Sequence, residues 1–164
     1  MSARITIRRA SPEDAGQVLR LVRELAEYER LQDDVVADEA LLRAALAGDP
    51  PAARALLAEI GSELVGFALY FMNFSTFIAR QGLYLEDLYV RPPWRGSGAG
   101  RRLMAAVAAE AAAAGARRLD WAVLDWNTPA IGFYERLGAK PLSDWRVYRL
   151  EGTALDRLAA EVSE

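Results

Sequence analysis

The stretch Leu85-Glu86-Asp87-Leu88-Tyr89-Val90-Arg91-Pro92-Pro93-Trp94-Arg95-Gly96-Ser97-Gly98-Ala99-Gly100-Arg101 decides how this chain folds. Its first part is rich in Leu, Tyr and Val, as a strand is, and Pro92-Pro93 stops it. Glycines at 96, 98 and 100 then lead into an Ala-rich helix whose inward stripe is Leu103, Met104, Val107, Ala108 and Ala111, with Gly115 as its left-handed cap. A strand that passes through a Gly-rich turn into a helix gathers backbone N–H groups at the positive end of that helix, which makes an anion cradle suited to a diphosphate. Arg95, Arg101 and Arg102 add charge-assisted donors. A plain strand-to-helix connection has the same composition. A dinucleotide fingerprint fits poorly, because it should follow the first strand of a parallel unit, and a Walker loop is excluded by the missing Gly-Lys-Ser/Thr.

Outward from this segment, a strand of about Leu83 to Val90 is preceded by two others, at 53–60 and 63–75, joined by a tight turn at Gly61-Ser62, so an antiparallel meander is predicted. Ile5 and Ile7 alternate with charged neighbours as a further strand. Ser11 and Pro12 then open an amphipathic helix over Ala15 to Glu29, with Val18, Leu19, Val22, Leu25, Ala26 and Tyr28 inward. A shorter helix covers about Asp38 to Leu46. Downstream, a strand at Arg118 to Leu124 is followed by a helix opened by Asn127 or Thr128 with Pro129 in its first turn and Gly138 after its end. A final strand at Trp145 to Leu150 and a small helix around Ala154 to Glu161 close the chain. The order of elements predicts an α+β fold: one domain over residues 1–164, with a mixed, mostly antiparallel central sheet flanked by helices.

The 164 residues are 52% apolar, enough for one core, and 20 basic against 23 acidic residues give a formal charge of -3, which argues against a nucleic-acid partner. The absence of Cys and His removes disulfides, thiolate nucleophiles, Ser-His-Asp triads and imidazole-ligated metal. No metal cofactor is expected. The N-terminus has no secretory pattern and the longest apolar run, Leu64 to Met72, is far below the roughly 20 residues of a membrane helix, so a cytoplasmic protein with no membrane partner is expected.

Arg95-Gly-Ser-Gly-Ala-Gly100 matches the Arg/Gln-x-x-Gly-x-Gly/Ala turn of the GNAT superfamily of N-acetyltransferases, and Asn127-Thr-Pro-Ala-Ile-Gly-Phe-Tyr134-Glu-Arg-Leu-Gly138 resembles its second motif, Asn-x-x-Ala-x-x-x-Tyr-x-x-x-Gly. With Glu24-Leu-Ala-Glu-Tyr-Glu29, Val65 to Tyr70, Tyr84-Leu-Glu-Asp87 and Ala122-Val-Leu-Asp-Trp-Asn127, the chain resembles the diamine (spermidine/spermine) and thialysine N-acetyltransferases over nearly its whole length. Ser75-Thr76-Phe77 and Val123 to Trp126 lean toward the thialysine branch. Glu27, Ser75 and a shortened acidic stretch near Asp144 depart from the polyamine enzymes and weigh against long polyamines.

The resemblance implies acetyl-CoA as co-substrate. Its pyrophosphate would lie on Arg95, Gly96, Ser97, Gly98, Ala99, Gly100 and Arg101. Its pantetheine arm would pair with Tyr89 and Val90, and would be held on the other side by Asn127, Thr128, Pro129 and Ala130. It also implies the Leu88 amide as oxyanion donor and Tyr134 as the acid that protonates the departing thiolate. As a helical residue sharing a face with Ala130 and Leu137, Tyr134 equally suits a core position, and Asn127 a helix cap.

A lysine-like ammonium is neutral in only about one molecule in 2,500 at pH 7, so its proton must be removed before attack. With no His in the chain, Glu86 is the candidate base, directly or through water, although an exposed strand acid would look the same. The resemblance further brings together Tyr28, Glu29, Glu86, Asp87, Asp120 and Trp121 as an acceptor site for a second ammonium group. The expected activity is direct acetyl transfer to a small diamine, polyamine or basic amino acid in a ternary complex. Protein-lysine or N-terminal acetylation and non-catalytic acetyl-CoA binding are the alternatives. Related enzymes are commonly homodimers joined through their last strands.

Overall fold

The computed structural model describes residues 4–163. The chain divides into two compact units, Met1–Ala122 and Val123–Glu164.

The first unit carries the sheet. Its strands β1 (Ile5–Arg9), β2 (Arg54–Ile60), β3 (Glu63–Ser75), β4 (Arg80–Val90) and β5 (Leu119–Asp120) lie in the order of the sequence. The first four pair antiparallel and β4–β5 pairs parallel, through Leu83↔Leu119 and Tyr84↔Asp120 only. Three helices accompany them: α1 (Ala15–Glu29), α2 (Glu39–Ala47) and α3 (Ala99–Ala113).

The pleat sorts side chains by face. Ala55, Leu57, Phe67, Leu69 and Tyr89 meet Val18, Leu21 and Leu25 of α1 in one buried cluster. Leu56, Ala58, Ala68 and Tyr70 alternate with them on β2 and β3 and turn to the opposite face, and α3 packs on strands β1 to β4. Leu21, outside the expected α1 stripe, is fully buried, whereas Ala108, expected inward on α3, is exposed. A short 3-10 turn at Pro12–Asp14 precedes α1, and there the Ser11 amide donates to Asp14 Oδ2 at 2.8 Å.

One irregularity matters for the site. The β3–β4 ladder runs Leu69↔Asp87 and then Tyr70↔Leu85, so Glu86 is the extra residue of a β-bulge. The bulge reverses the pleat: Asp87 and Tyr89 share the α1 face, while Leu85 and Leu83 join the other one.

The second unit contains α4 (Thr128–Arg136) and α5 (Gly152–Ala160). Asn127 caps α4 by accepting from the Ala130 amide at 3.4 Å, and Gly138 ends the following turn at φ +90°. Two sequence expectations are corrected here. The strand expected over Arg118 to Leu124 shrinks to Leu119–Asp120, and the strand expected over Trp145 to Leu150 does not form. Its alternation is real, but a strand needs a ladder partner, and none pairs with it among the described residues. Trp145, Val147 and Tyr148 are consequently 74%, 89% and 87% exposed. The last helix begins two residues before its expected start.

Candidate active site

The end of β4 is fixed from both sides. Arg91 donates from Nε and Nη2 to the two carboxylate oxygens of Glu24 of α1, at 2.9 and 2.6 Å, and its Nη1 donates to the Leu64 carbonyl at 2.7 Å. Periodicity alone puts Glu24 on the polar face of α1 and does not reveal this pair, whose members stand 67 residues apart. The Arg91 amide also donates to the Val65 carbonyl at 2.9 Å, which fixes the phase of the antiparallel ladder. By the alternation of such ladders, Tyr89 and Asp87 exchange backbone bonds with Phe67 and Leu69, and Leu88 and Val90 direct theirs away from β3. Beyond Tyr84, β4 has no strand partner on that side among the described residues. The open edge therefore offers the Leu88 backbone and the Val90 amide to a ligand. Tyr89, expected to pair there, turns its amide into the sheet.

The turn after β4 begins with a 3-10 turn at Pro92–Trp94 and continues into α3. Gly96 and Gly98 hold φ of +79° and +95°, in the left-handed region where a Cβ is disfavoured. The Ser97 amide donates to the Trp94 carbonyl at 3.3 Å, and the Ala99 amide to Ser97 Oγ at 3.3 Å. The amides of Gly96, Gly98, Gly100 and Arg101 have no backbone partner among the described residues. Nothing lies within 4 Å of where a Cβ on Gly96 would stand. Open space before unpaired amides at a helix N-terminus fits a pyrophosphate group. Arg101 is exposed beside them, and Arg102 Nη1 is bonded to the Ile5 carbonyl at 3.2 Å. Arg95 is held beside that space: its Nε is bonded to the Val90 carbonyl at 3.0 Å, and its guanidinium lies over the Tyr28 ring at 4.4 Å.

Four of the acids singled out by the sequence lie in the first unit. Asp87 is pushed up to about 7, first by burial and then by the nearby charges of Glu86 and Glu29. Burial also raises Glu29. Burial, followed by the charges of Glu86 and Asp120, raises the Tyr84 phenol. Glu29, Glu86 and Asp87 thus form one electrostatic group, which Asp120 joins through Tyr84. Arg118 holds Asp120 in an ion pair of 3.2 Å, and Trp121 follows it, half-buried. Tyr84 belongs to this environment although no sequence motif gives it a role; its place opposite Asp120 follows from the parallel register, which the sequence does not reveal.

In the second unit Asn127 is buried, and its side chain caps α4 in the way that the sequence suggests. Thr128 and Pro129 are exposed in the first turn, and Ala130 supplies the capped amide. Tyr134 is half-buried, its ring 5.4 Å from that of Phe133, and its carbonyl accepts from Leu137 and Ala139. Capping thus sets where α4 begins, and this fixes Tyr134 two turns along it.

Known proteins give this arrangement a family. Over residues 17–139 the chain matches the Acetyltransferase (GNAT) family. It is 42% identical to a thialysine N-epsilon-acetyltransferase of Sus scrofa, covering 97% of this chain and 99% of that protein. An L-ornithine N5-acetyltransferase of Arabidopsis thaliana is 45% identical over 58% of the chain and 42% of its own length. Among solved structures, an integron cassette protein from the mobile metagenome of V. cholerae superposes with a TM-score of 0.77 at 29% identity, over 97% of this chain and 98% of that one. The chain belongs to the GNAT family of acetyltransferases.

Proposed function

We propose that the protein transfers the acetyl group of acetyl-CoA to a primary amine of a small basic amino acid of the thialysine or lysine type, by direct attack in a ternary complex. The observation that carries this reading is the carboxylate group of Glu29, Glu86 and Asp87 beside the open edge of β4. Such a group attracts the ammonium groups of a basic amino acid and offers them a proton acceptor. The names of the pig and Arabidopsis relatives, both side-chain amine acetyltransferases of basic amino acids, support the same class.

Acetyl-CoA supplies an activated acetyl thioester. Amides of Gly96, Gly98, Gly100 and Arg101, with the Arg101 side chain, hold its pyrophosphate; the Leu88 and Val90 backbone lines its arm, and Leu88 N–H serves the developing oxyanion. The family resemblance assigns Asn127, Thr128, Pro129 and Ala130 to the cofactor as well, and Ser97 and Ala99 keep the shape of the turn. Glu86, exposed at the bulge, meets the ammonium and takes its proton, directly or through water. Asp87, pushed up to about 7 by burial and by the charges of Glu86 and Glu29, is a second carboxylate in this acidic group. Tyr134 Oη protonates the departing thiolate. Asp120 and Trp121 complete the acceptor side. The whole chain serves as a single N-acetyltransferase domain, a reading supported by a family match over residues 17–139, which begins in the first unit and ends in the second. Self-association as a homodimer is supported by the exposed Trp145, Val147 and Tyr148.

An acceptor panel with acetyl-CoA tests this reading. By kcat/KM, thialysine, lysine and ornithine should exceed putrescine, spermidine and a lysine peptide; a peptide at the head of the ranking overturns it.

A further inference from the structure

Arg95 opens the pyrophosphate turn, yet its guanidinium is engaged elsewhere on three sides. Nε donates to the Val90 carbonyl at 3.0 Å, the Tyr28 ring centroid lies 4.4 Å from Cζ, and the Tyr89 ring centroid lies 5.8 Å away. The Arg95 amide closes the preceding 3-10 turn on the Pro92 carbonyl at 3.2 Å. The residue that launches the left-handed Gly96 is therefore fastened at its backbone and its side chain.

Tyr89 is buried in the sheet, whereas Tyr28 belongs to the last turn of α1. That helix ends sharply: Arg30, at φ 61°, folds its amide back onto the Ala26 and Glu27 carbonyls. Tyr28 is thus a fixed aromatic face. Its position is set by α1, and α1 is itself tied to the end of β4 by Glu24 and Arg91. A guanidinium at this distance from a ring is attracted by the ring's negative face. Without that face Arg95 keeps its bond to Val90 but loses the contact that orients the fork.

We propose that Tyr28 is a positioning residue for the cofactor turn: through Arg95 its ring holds the start of the Gly96–Gly100 turn in the shape that binds the pyrophosphate of acetyl-CoA. This rests on the acetyl-CoA reading above and departs from the acceptor-contact role that sequence resemblance implies for Tyr28. One residue further on, Glu29 belongs to the acidic group, so the end of α1 serves both substrates from adjacent positions.

Calorimetric titration with acetyl-CoA, paired with steady-state kinetics in both substrates, tests the proposal on the full chain. Tyr28→Leu should weaken acetyl-CoA binding about 3- to 5-fold, the size of one partly exposed cation–π contact, with the acceptor KM unchanged. Tyr28→Phe, which keeps the ring, should bind acetyl-CoA within about 2-fold of the parent. In a double-mutant cycle, Tyr28→Leu added to Arg95→Gln should cost little more than Arg95→Gln alone. Additive losses, or unchanged acetyl-CoA binding with a raised acceptor KM, would overturn the proposal while leaving the acetyltransferase reading intact. A parent protein that gives no heat with acetyl-CoA would overturn both.

Discussion

Glu86 and Asp87 are neighbours in β4 that a bulge separates: Asp87 pairs with Leu69 and is turned to the α1 face, whereas Glu86 is unpaired in the ladder and exposed. One carboxylate is thereby exposed to solvent, while burial and the charges of Glu86 and Glu29 push the other up to about 7. The two adjacent acids therefore stand in different surroundings, one exposed and one largely buried.

The titration of Asp87 should appear in the pH profile. In kcat/KM, activity rises through about pH 7 as Asp87 ionises. Asp87→Asn removes that limb and leaves the rise that follows amine deprotonation at higher pH. A variant with the parent's limb would clear Asp87 of the role.

Stability follows the same group with a definite sign. In the folded protein Asp87 binds its proton more tightly, at about 7 against an ordinary 3.8, so the folded state holds the extra proton between those values. Its contribution is full below about pH 4, is lost as pH rises to about 7, and then levels off. Asp87→Asn should raise the melting temperature at pH 8 and flatten that decline. Asp14, which the Arg8 guanidinium holds down to about 2, acts in the opposite sense: its contribution is present above 3.8 and lost as pH falls through 2. Melting curves from pH 2 to 8 separate the two.

Tyr134→Phe keeps the ring and removes the proton. Loss of a general acid typically costs about 10²- to 10⁴-fold, so kcat should fall within that range with both KM values near the parent's. Full turnover in stopped-flow assays of CoA release would exclude the phenol.

Gly98 holds φ +95°, and only Ile5 Cδ1, at 3.9 Å, lies near the place that a Cβ would take, so replacement strains the backbone without a clash. Gly98→Ala should cost about 1–2 kcal/mol of stability and weaken acetyl-CoA binding, with the acceptor KM unchanged. Denaturant titration and calorimetry read the two effects separately.

Arg91 and Glu24, each partly buried, tie β4 to α1. Arg91→Met should destabilise the protein by about 1–3 kcal/mol, and adding Glu24→Leu should restore part of the loss, because the stranded carboxylate is then gone. Two fully additive losses in urea would show that the pair is not coupled.

What the sequence reveals is local. Gly96 and Gly98 announce a turn that needs positive φ, and Asn127 with Pro129 announces a helix start; each signal lies within a few residues of the structure that it specifies. Relationships across the chain stay hidden. Nothing near Glu24 points to Arg91, nothing in Leu85-Glu86-Asp87 tells which of the two acids falls in the bulge, and Arg95 reads as a phosphate ligand until Tyr28 is seen beneath it. Trp145 to Leu150 shows the converse: its alternation is strand-like, but pairing is decided by a neighbour and not by the segment.

The most direct measurement is a single turnover with acetyl-CoA labelled in its acetyl group and thialysine as acceptor, followed by mass spectrometry of product and protein together. The account predicts that the label appears as an amide on the side-chain amine, one for each CoA released, while the protein's mass never changes. Label on the protein before the amine, or CoA formed with no amide, would contradict it.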